Sequence, residues 1–427
     1  MKRAIKKAAA LLSVVAMCGT MFFNFPENSF VLSAFSADSG VAINEDNFPD
    51  EIFREYVKSF DTSGDNILSD EETAKVKSID VSERDITSLK GIEYFTELTS
   101  LMCSKNQITD LDVSNNSALM YLDCDTNQLS NLDLSNNTAL DTLYCNYNQL
   151  TSLDLSNNFA LTELFCGGNQ LTSLDVSNNP DLTFLNCLST QISSLDLSSN
   201  SALATLYCGL NQLTDLDLRN NTALTILSCE NNQLTSLDLS NNSALTFIDC
   251  GDNLLSSLDL SNNSVLKELH CYNNKLTSLD ISNNFALTHL FCNNNQLSSL
   301  DLSNNSALTY INCGDNLLSS LDVSNNSVLK GLYCYNNKLS SLDLSNNTAL
   351  TSLYCYSNQL TSLDLSQNKD LAFLENLSNA YEISIDKDTY DLSELPGNFD
   401  VSKASNWTNA TVNDNTLTII NMSKPVT

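Results

Sequence analysis

The chain has 427 residues, of which 51 are Asp or Glu and 20 are Lys or Arg, so its formal net charge at pH 7 is -31. This charge argues against nucleic acid or an anionic membrane as a partner, because both require positive charge on the protein. Apolar residues make up 42% of the chain, too many for a disordered acidic polypeptide, and the 2 histidines disfavour histidine-based catalysis.

Residues 1–37 have the features of a secretory signal peptide. Four basic residues between positions 2 and 7 precede an apolar stretch, and small residues lead up to a cleavage point expected near Ala37. Lipidation of Cys18 is the disfavoured alternative, because Met17 stands where a small residue is expected. No later apolar stretch is long enough to span a bilayer. We therefore expect an exported protein that is secreted or associated with the cell surface, without membrane insertion.

Residues 38–78 are predicted to form a helical N-terminal cap with an EF-hand-like loop. The apolar spacing from 47 to 60 predicts a helix, and the next twelve residues have the spacing of a calcium loop. The ligands would be Asp61, Ser63, Asp65, the carbonyl of Ile67, Ser69 through a water, and Glu72 through both carboxylate oxygens. Ca²⁺ is therefore a candidate cofactor, and an ion-free acidic helix–loop–helix cap is the alternative.

Residues 79–375 form a repeat array in which a cysteine recurs every 21 positions from Cys103 onward, while the first unit, Ile79–Leu98, departs from this pattern. These ladder cysteines are Cys103, Cys124, Cys145, Cys166, Cys187, Cys208, Cys229, Cys250, Cys271, Cys292, Cys313, Cys334 and Cys355. Three apolar columns accompany them, together with an Asp column from Asp112 to Asp364 and two Asn columns, the first interrupted by Thr190. Constant spacing over so many units indicates a repeat architecture.

The repeat predicts a parallel β-solenoid of about 13–14 coils, advancing ~4.8 Å per coil. A unit of this size buries about seven apolar side chains, which is too few to offset the entropy of ordering its backbone. Each unit must therefore stack on its neighbours. Alternating apolar residues at Leu143 and Cys145, and again at Leu153 and Leu155, predict two short strands per coil.

The pattern LxxLxCxxNxL resembles the leucine-rich repeat. Leu140–Asn148 and Leu150–Asn158 follow the same nested half-pattern, which is similar to the short 21-residue repeats of bacterial proteins related to the internalins. This resemblance implies a secreted, non-enzymatic binding scaffold. After the repeats, residues 376–427 predict a β-rich C-terminal cap with turns at Pro396-Gly397 and Asn413–Asn415.

The ladder cysteines are predicted to be buried free thiols. Disulfides or a metal site are the alternatives, but a parallel stack of sulfurs rarely satisfies disulfide geometry and no CxxC pair is present. The Asp column is predicted on the outer face of the second strand. Its carboxylates should accept backbone N–H groups of the turn, and a column that collects cations is the alternative.

Residues beside the Leu-x-Cys motif are rich in aromatic side chains, which a solvent-facing sheet normally avoids. These candidate ligand residues are Tyr121, Tyr144, Tyr147, Phe165, Phe184, Tyr207, Phe247, Tyr272, Phe291, Tyr310, Tyr333, Tyr335, Tyr354, Tyr356 and, at the end of the array, Phe373. They predict a surface that binds an extracellular protein, as in adhesion, because Tyr is enriched in binding hot spots. Glycan binding is the second hypothesis, a hydrolase is the third, and strand propensity alone is the neutral explanation.

Glu268, His270 and His289 fall on the same predicted face, one strand apart. A metal or acid–base site is one interpretation, and a solvated polar group is the favoured one. The region around 249–335 also repeats with an offset of 63, which is three whole units. Duplication of whole coils suits a scaffold better than an active site.

Overall fold

The structure of the protein, a computed structural model, describes residues 40–376, 379, 389–392, 410–414 and 416–419. These residues fall in one compact unit, Gly40–Thr427. The predicted signal peptide and the Pro396-Gly397 turn lie outside the described residues. No helix within the described ranges is both long and apolar enough to cross a membrane.

The N-terminal cap has two short helices joined by the predicted loop. Strand β1 is Val41–Ala42, helix α1 is Glu51–Val57, strand β2 is Ile67–Leu68 and helix α2 is Asp70–Lys75, with a 3-10 turn at Lys58–Phe60. Helix α1 begins after Asp50, whose side chain accepts the N–H groups of Ile52 and Phe53. Phe53 and Val57 are buried, whereas Ile52 is 42% exposed, so the predicted helix is confirmed with a narrower apolar face.

One parallel sheet of fifteen strands runs through the repeats in chain order. Its strands are β3 Ser78–Asp80, β4 Ser100–Met102, β5 Tyr121–Asp123, β6 Thr142–Tyr144, β7 Glu163–Phe165, β8 Phe184–Asn186, β9 Thr205–Tyr207, β10 Ile226–Ser228, β11 Phe247–Asp249, β12 Glu268–His270, β13 His289–Phe291, β14 Tyr310–Asn312, β15 Gly331–Tyr333, β16 Ser352–Tyr354 and β17 Phe373–Glu375. Leu143 of β6 lies opposite Leu164 of β7, and this 21-residue register repeats from β4 to β17. The parallel leucine-rich-repeat solenoid is therefore confirmed.

The prediction of two strands per coil is wrong, because each coil contributes one strand. Around Leu155 the backbone forms hydrogen bonds within turns and with side chains, rather than with a neighbouring strand. The carbonyl of Leu155 accepts Asn158 N at 3.1 Å, and Asp154 Oδ1 accepts Ser156 N at 2.9 Å. Such local bonds compete with strand pairing, so alternating burial here does not signify a strand.

The ladder cysteines lie in the interior beside the leucine columns. All thirteen are free thiols and each is 0% exposed. The middle residue of each strand from β4 to β16 is likewise fully buried. The core is therefore a continuous column in which every coil packs on the next, as the repeat energetics require.

The chain turns sharply two residues after each ladder cysteine. The residue there has a positive φ in all thirteen coils: Lys105, Thr126, Tyr147, Gly168, Ser189, Leu210, Asn231, Asp252, Asn273, Asn294, Asp315, Asn336 and Ser357. Asn, Asp and Gly occupy seven of these positions, in agreement with their tolerance of the left-handed conformation. The turn ends the strand at the same place in every coil.

Three more strands follow the repeats: β18 Thr389–Asp391, β19 Ala410–Asn413 and β20 Thr416–Ile419. They form an antiparallel sheet in the order β18-β20-β19. Asp414 has a φ of 52° at the β19–β20 turn, where the sequence predicts one. The β-rich character of the C-terminal segment is thus seen in its described part.

Candidate functional site

One surface of the long sheet carries nearly all the predicted ligand residues. We define the strand face as the first and third positions of strands β4 to β17 together with the residue after each ladder cysteine. Successive strand residues alternate between the two faces of a sheet, so a buried middle leucine directs both of its neighbours outward. In β5, for example, Leu122 is buried while Tyr121 and Asp123 are half-buried at the surface.

The structure places the predicted aromatic residues at three sets of positions on the strand face. First positions hold Tyr121, Phe184, Phe247, Tyr310 and Phe373, third positions hold Tyr144, Phe165, Tyr207, Phe291, Tyr333 and Tyr354, and positions after cysteine hold Tyr272, Tyr335 and Tyr356. Tyr147 does not belong with them. It occupies the left-handed turn with a φ of 52° and is 64% exposed, because it lies two residues after its cysteine.

Five rings form a continuous run across strands β5 to β9. The run consists of Tyr121, Tyr144, Phe165, Phe184 and Tyr207, with successive ring centroids 5.7, 4.2, 4.4 and 5.7 Å apart. The two central contacts are stacked, with planes 11° and 25° from parallel. Neighbouring rings therefore cover one another's faces in the middle of the run, and ring edges face outward.

Four tyrosines near the end of the repeats form two stacked pairs. Tyr333 and Tyr354 have centroids 4.8 Å apart, and Tyr335 and Tyr356 have centroids 4.9 Å apart. Gly314 makes room for Tyr335, because a Cβ there would lie 2.5 Å from the tyrosine Cζ. Each pair joins the same position of two adjacent coils, so the strand spacing sets the stacking distance.

His270 lies between two carboxylates, and His289 does not join them. The Nδ1 atom of His270 is 3.2 Å from Asp249 Oδ2, and Nε2 is 2.8 Å from Glu268 Oε1. Burial lowers the pKa of His270, but the hydrogen bond and charge of Asp249, followed by those of Glu268, outweigh it and raise the pKa above its usual value. His289 instead stacks on Tyr310 with centroids 5.3 Å apart.

Carboxylates on the strand face are the residues that the aromatic pattern did not reveal. Asp123, Asp125, Glu163, Glu230, Asp249, Glu268 and Glu375 occupy strand-face positions. Asp125 accepts Asn146 N at 2.5 Å and Asn146 Nδ2 at 3.0 Å. Burial raises the pKa of Asp125 above its ordinary value, and the bonds from Asn146 lower it only in part.

Two segments of the chain that are nearly identical differ mainly at the strand face, which is a second signal of function in the sequence. Residues 225–287 and 288–350 differ at 12 of 63 positions, and all six outward strand positions are among them. The six pairs are Ile226 and His289, Ser228 and Phe291, Phe247 and Tyr310, Asp249 and Asn312, Glu268 and Gly331, and His270 and Tyr333. Elsewhere only six of 57 positions differ, so change is concentrated on the strand face.

The Asp column makes regular contacts with its own backbone. From Asp112 to Asp364, Oδ1 accepts the N–H two residues later at 2.8–3.1 Å. In most units the donor is a serine, and at Asp217 it is Arg219, whose guanidinium also pairs with the carboxylate. These bonds lower the pKa of Asp196 and Asp217 below the usual range. The predicted bonds to backbone N–H groups are confirmed, whereas the predicted position on a second strand is wrong, because no strand contains these residues.

The EF-hand-like loop closes on Glu72 through protein hydrogen bonds. Glu72 Oε1 accepts Thr62 N at 2.7 Å and Ser63 N at 3.0 Å, while Oε2 accepts Ser69 N at 3.0 Å. Asp61, at the first ligand position, accepts two further backbone N–H groups of the loop. Within the described ranges, no three His, Cys, Asp or Glu side chains are arranged to hold a metal ion. Calcium binding stays a prediction, and the ion-free cap stays its alternative.

Comparisons with known proteins give the chain its family. The functional domain of InlJ from Listeria monocytogenes, whose structure includes a cysteine ladder, matches 90% of this chain and 94% of its own length with 32% identity and a TM-score of 0.71. The internalin InlF of Listeria monocytogenes strain 4b F2365 matches 82% of this chain and 100% of its own, with 25% identity and a TM-score of 0.65.

Internalin J of Listeria monocytogenes serotype 4b, strain F2365, is 38% identical over 73 residues, which are 17% of this chain and 8% of that protein. No protein-family model matches the chain. The 21-residue register, the buried thiol column and the similarity over most of the InlJ functional domain agree with one another. The chain belongs to the internalin-like family of bacterial leucine-rich-repeat proteins.

Proposed function

We propose that the protein is an exported, non-enzymatic interaction module that binds a protein partner, as in adhesion, through the strand face. The observation that carries this proposal is the concentration of internal sequence change there. Between the two copies at 225–287 and 288–350, all six outward strand residues differ, whereas only six of the other 57 positions do. A surface that diverges on a constant scaffold is the expected result of selection for recognition.

The aromatic geometry supports a protein rather than a glycan. Sugar rings pack on open aromatic faces, whereas Tyr144 and Phe165 cover each other at 4.2 Å and Tyr333 and Tyr354 at 4.8 Å. Stacked rings expose edges and tyrosine hydroxyls, which suit the mixed apolar and polar contacts of protein interfaces. Glycan binding is therefore the second candidate.

A hydrolase fits the electrostatics poorly. Glycoside hydrolysis needs one carboxylic acid whose pKa is raised so that it can donate a proton. Asp196 and Asp217 line a shallow groove between neighbouring coils, but their hydrogen bonds lower both pKa values. On the strand face, burial raises the pKa of Asp125, but both of its oxygens accept hydrogen bonds from Asn146. Asp249 and Glu268 contact His270 instead.

The proposal is tested with two double variants and two ligand screens. The wild type, Tyr333→Ala with Tyr354→Ala, and Asp343→Asn with Asp364→Asn are each used against a panel of purified surface proteins and a glycan array. Protein binding should weaken about thirtyfold in the Tyr pair, since central aromatic contacts contribute ~2 kcal/mol or more, and persist in the Asp pair. Melting curves verify folding.

Loss of binding in the Asp pair alone, with both variants folded, would contradict the assignment of the strand face. Binding to the array, with no protein ligand, would establish the glycan alternative.

A further inference from the structure

The strand face has a charge pattern that restricts its partner. Its three sets of positions from β4 to β17 contain seven carboxylates and neither Lys nor Arg. Two histidines are the only basic side chains at these described positions. An apolar surface with charge of a single sign attracts the opposite sign and repels its own, so the pattern selects among protein partners.

Three of these carboxylates surround the aromatic run, and Lys105, the lysine whose charge interacts with Asp123, is bridged to Glu83 instead. Asp123 and Asp125 flank Tyr121 and Tyr144, and their charges raise the pKa of both phenols after the larger effect of burial. Glu163, in β7, lies opposite Thr142 in β6. None of the three carboxylates forms a salt bridge with a Lys or Arg of the described chain.

His270 shows how this face surrounds a basic side chain. Its ring bridges Asp249 and Glu268 and meets Phe247 and Phe291 edge-on, with centroids 5.3 and 4.7 Å apart. Carboxylates from neighbouring strands and flanking aromatic rings thus enclose a basic group. Asp123, Asp125 and Glu163 around the Tyr144–Phe165 stack offer the same combination for a basic group that comes from outside.

Building on the proposed protein-binding function, we infer that the strand face binds a cationic protein segment, with Lys or Arg side chains seated among Asp123, Asp125 and Glu163 beside the Tyr144–Phe165 stack. The aromatic edges contact the aliphatic stems of these side chains, and the carboxylates bond their charged ends. The inference identifies the chemistry of the partner and depends on charge complementarity, since the described strand-face positions contain neither Lys nor Arg.

The test selects peptides from a displayed library of random twelve-residue sequences on immobilised protein. Selected peptides should be enriched in Lys and Arg relative to the input library, and the affinity of a selected peptide should fall steeply as salt rises. The strand-face variant is Asp123→Asn with Asp125→Asn and Glu163→Gln. Its matched control, Asp154→Asn with Asp175→Asn and Asp196→Asn, removes the same charge from the Asp column.

The strand-face variant should weaken a selected peptide at least tenfold, whereas the control should change affinity less than twofold. Because Asp125 bonds to Asn146, Glu163→Gln alone is tested as well and should weaken binding severalfold with unchanged melting. Uncharged or acidic peptides whose binding is lost in Tyr144→Ala would overturn the cationic partner and leave the proposed function intact. Equal losses in the variant and the control would also overturn it. Peptides insensitive to every strand-face variant would overturn both proposals.

Discussion

Asn148 accepts the backbone N–H of Leu129, in the preceding coil, through Oδ1 at 3.0 Å. Its Nδ2 donates to the carbonyls of Cys124 at 3.0 Å and Cys145 at 3.2 Å, so a single side chain joins two coils. The same contacts recur along the first Asn column. A buried amide with every group bonded holds the register of the stack, because the loss of either partner leaves a buried polar group unpaired.

Thr190 interrupts this column, and we predict that Thr190→Asn stabilises the protein. Thr190 Oγ1 lies 2.6 Å from Asn211 Oδ1, and a threonine side chain is too short to reproduce the amide contacts with Leu171 N and Cys166 O. Restoring these bonds should add roughly 1 kcal/mol to the free energy of unfolding. The converse change, Asn148→Thr, should lower stability by more. Denaturant unfolding of both variants checks the prediction, which fails if Thr190→Asn is neutral or destabilising.

Leu210→Asn should also stabilise the protein. Leu210 has a φ of 55° and is 45% exposed, in a column where Asn231, Asn273 and Asn294 hold the same conformation. A left-handed backbone costs a non-Gly residue such as leucine about 1 kcal/mol, and asparagine tolerates it better. An increase in melting temperature over wild type supports the prediction. Leu234→Asn, in the core, serves as the contrasting substitution and should destabilise strongly.

The repeat and its core could be predicted from the sequence because each column contains one residue type with one physical role. Cys145 and Leu143 are buried as the alternation requires. The absence of a second strand from each coil was not predictable in this way. Leu153 and Leu155 alternate like strand residues, but whether their backbone pairs or turns depends on bonds from Asp154 and Asn158 that periodicity does not encode.

The sequence predicts which surface carries the candidate site, but not how the side chains on that surface contact one another. Tyr147 stands two residues after its cysteine, and only the backbone conformation shows that this position lies in the left-handed turn rather than on the strand face. Likewise, the stacking of Tyr144 on Phe165 depends on side-chain rotamers across adjacent coils. The acidic residues among the rings were visible in the sequence, but their importance follows from the absence of Lys and Arg at strand-face positions of the described sheet.

Acid should weaken the N-terminal cap through Glu72. Hydrogen bonds from Ser69 N, Thr62 Oγ1 and Ser69 Oγ lower the pKa of Glu72 from 4.5 to about 2. A carboxylate whose pKa is lower in the folded state contributes stability above its unfolded value, and this contribution disappears as pH falls from about 4.5 through about 2. In Glu72→Gln, the melting temperature of the protein should lose the part of its pH dependence that lies in this window. An unchanged dependence would contradict the role assigned to Glu72.

Calcium binding is predicted from the ligand spacing between Asp61 and Glu72. Calorimetric titration of the wild-type protein with Ca²⁺ should show one site that disappears in Glu72→Gln. Asp217→Asn, in the Asp column, is the control and should retain the site, since it removes an acidic residue elsewhere. Equal heats for all three proteins would reject the calcium loop and leave the hydrogen-bonded cap as its whole role.

The ladder cysteines should behave as inert thiols until the solenoid unfolds. All thirteen are fully buried, and burial raises their pKa values well above the usual range, so the native protein has almost no thiolate at neutral pH. A thiol reagent added to protein without residues 1–37 should therefore label almost nothing under native conditions and about thirteen groups in denaturant. When labelling is faster than refolding, its rate should equal the unfolding rate and should not depend on reagent concentration. If only about one thiol reacts in denaturant, the cysteines are paired and the prediction is wrong. Cys229→Ser places a hydroxyl in the apolar column and should lower the free energy of unfolding by about 1–3 kcal/mol.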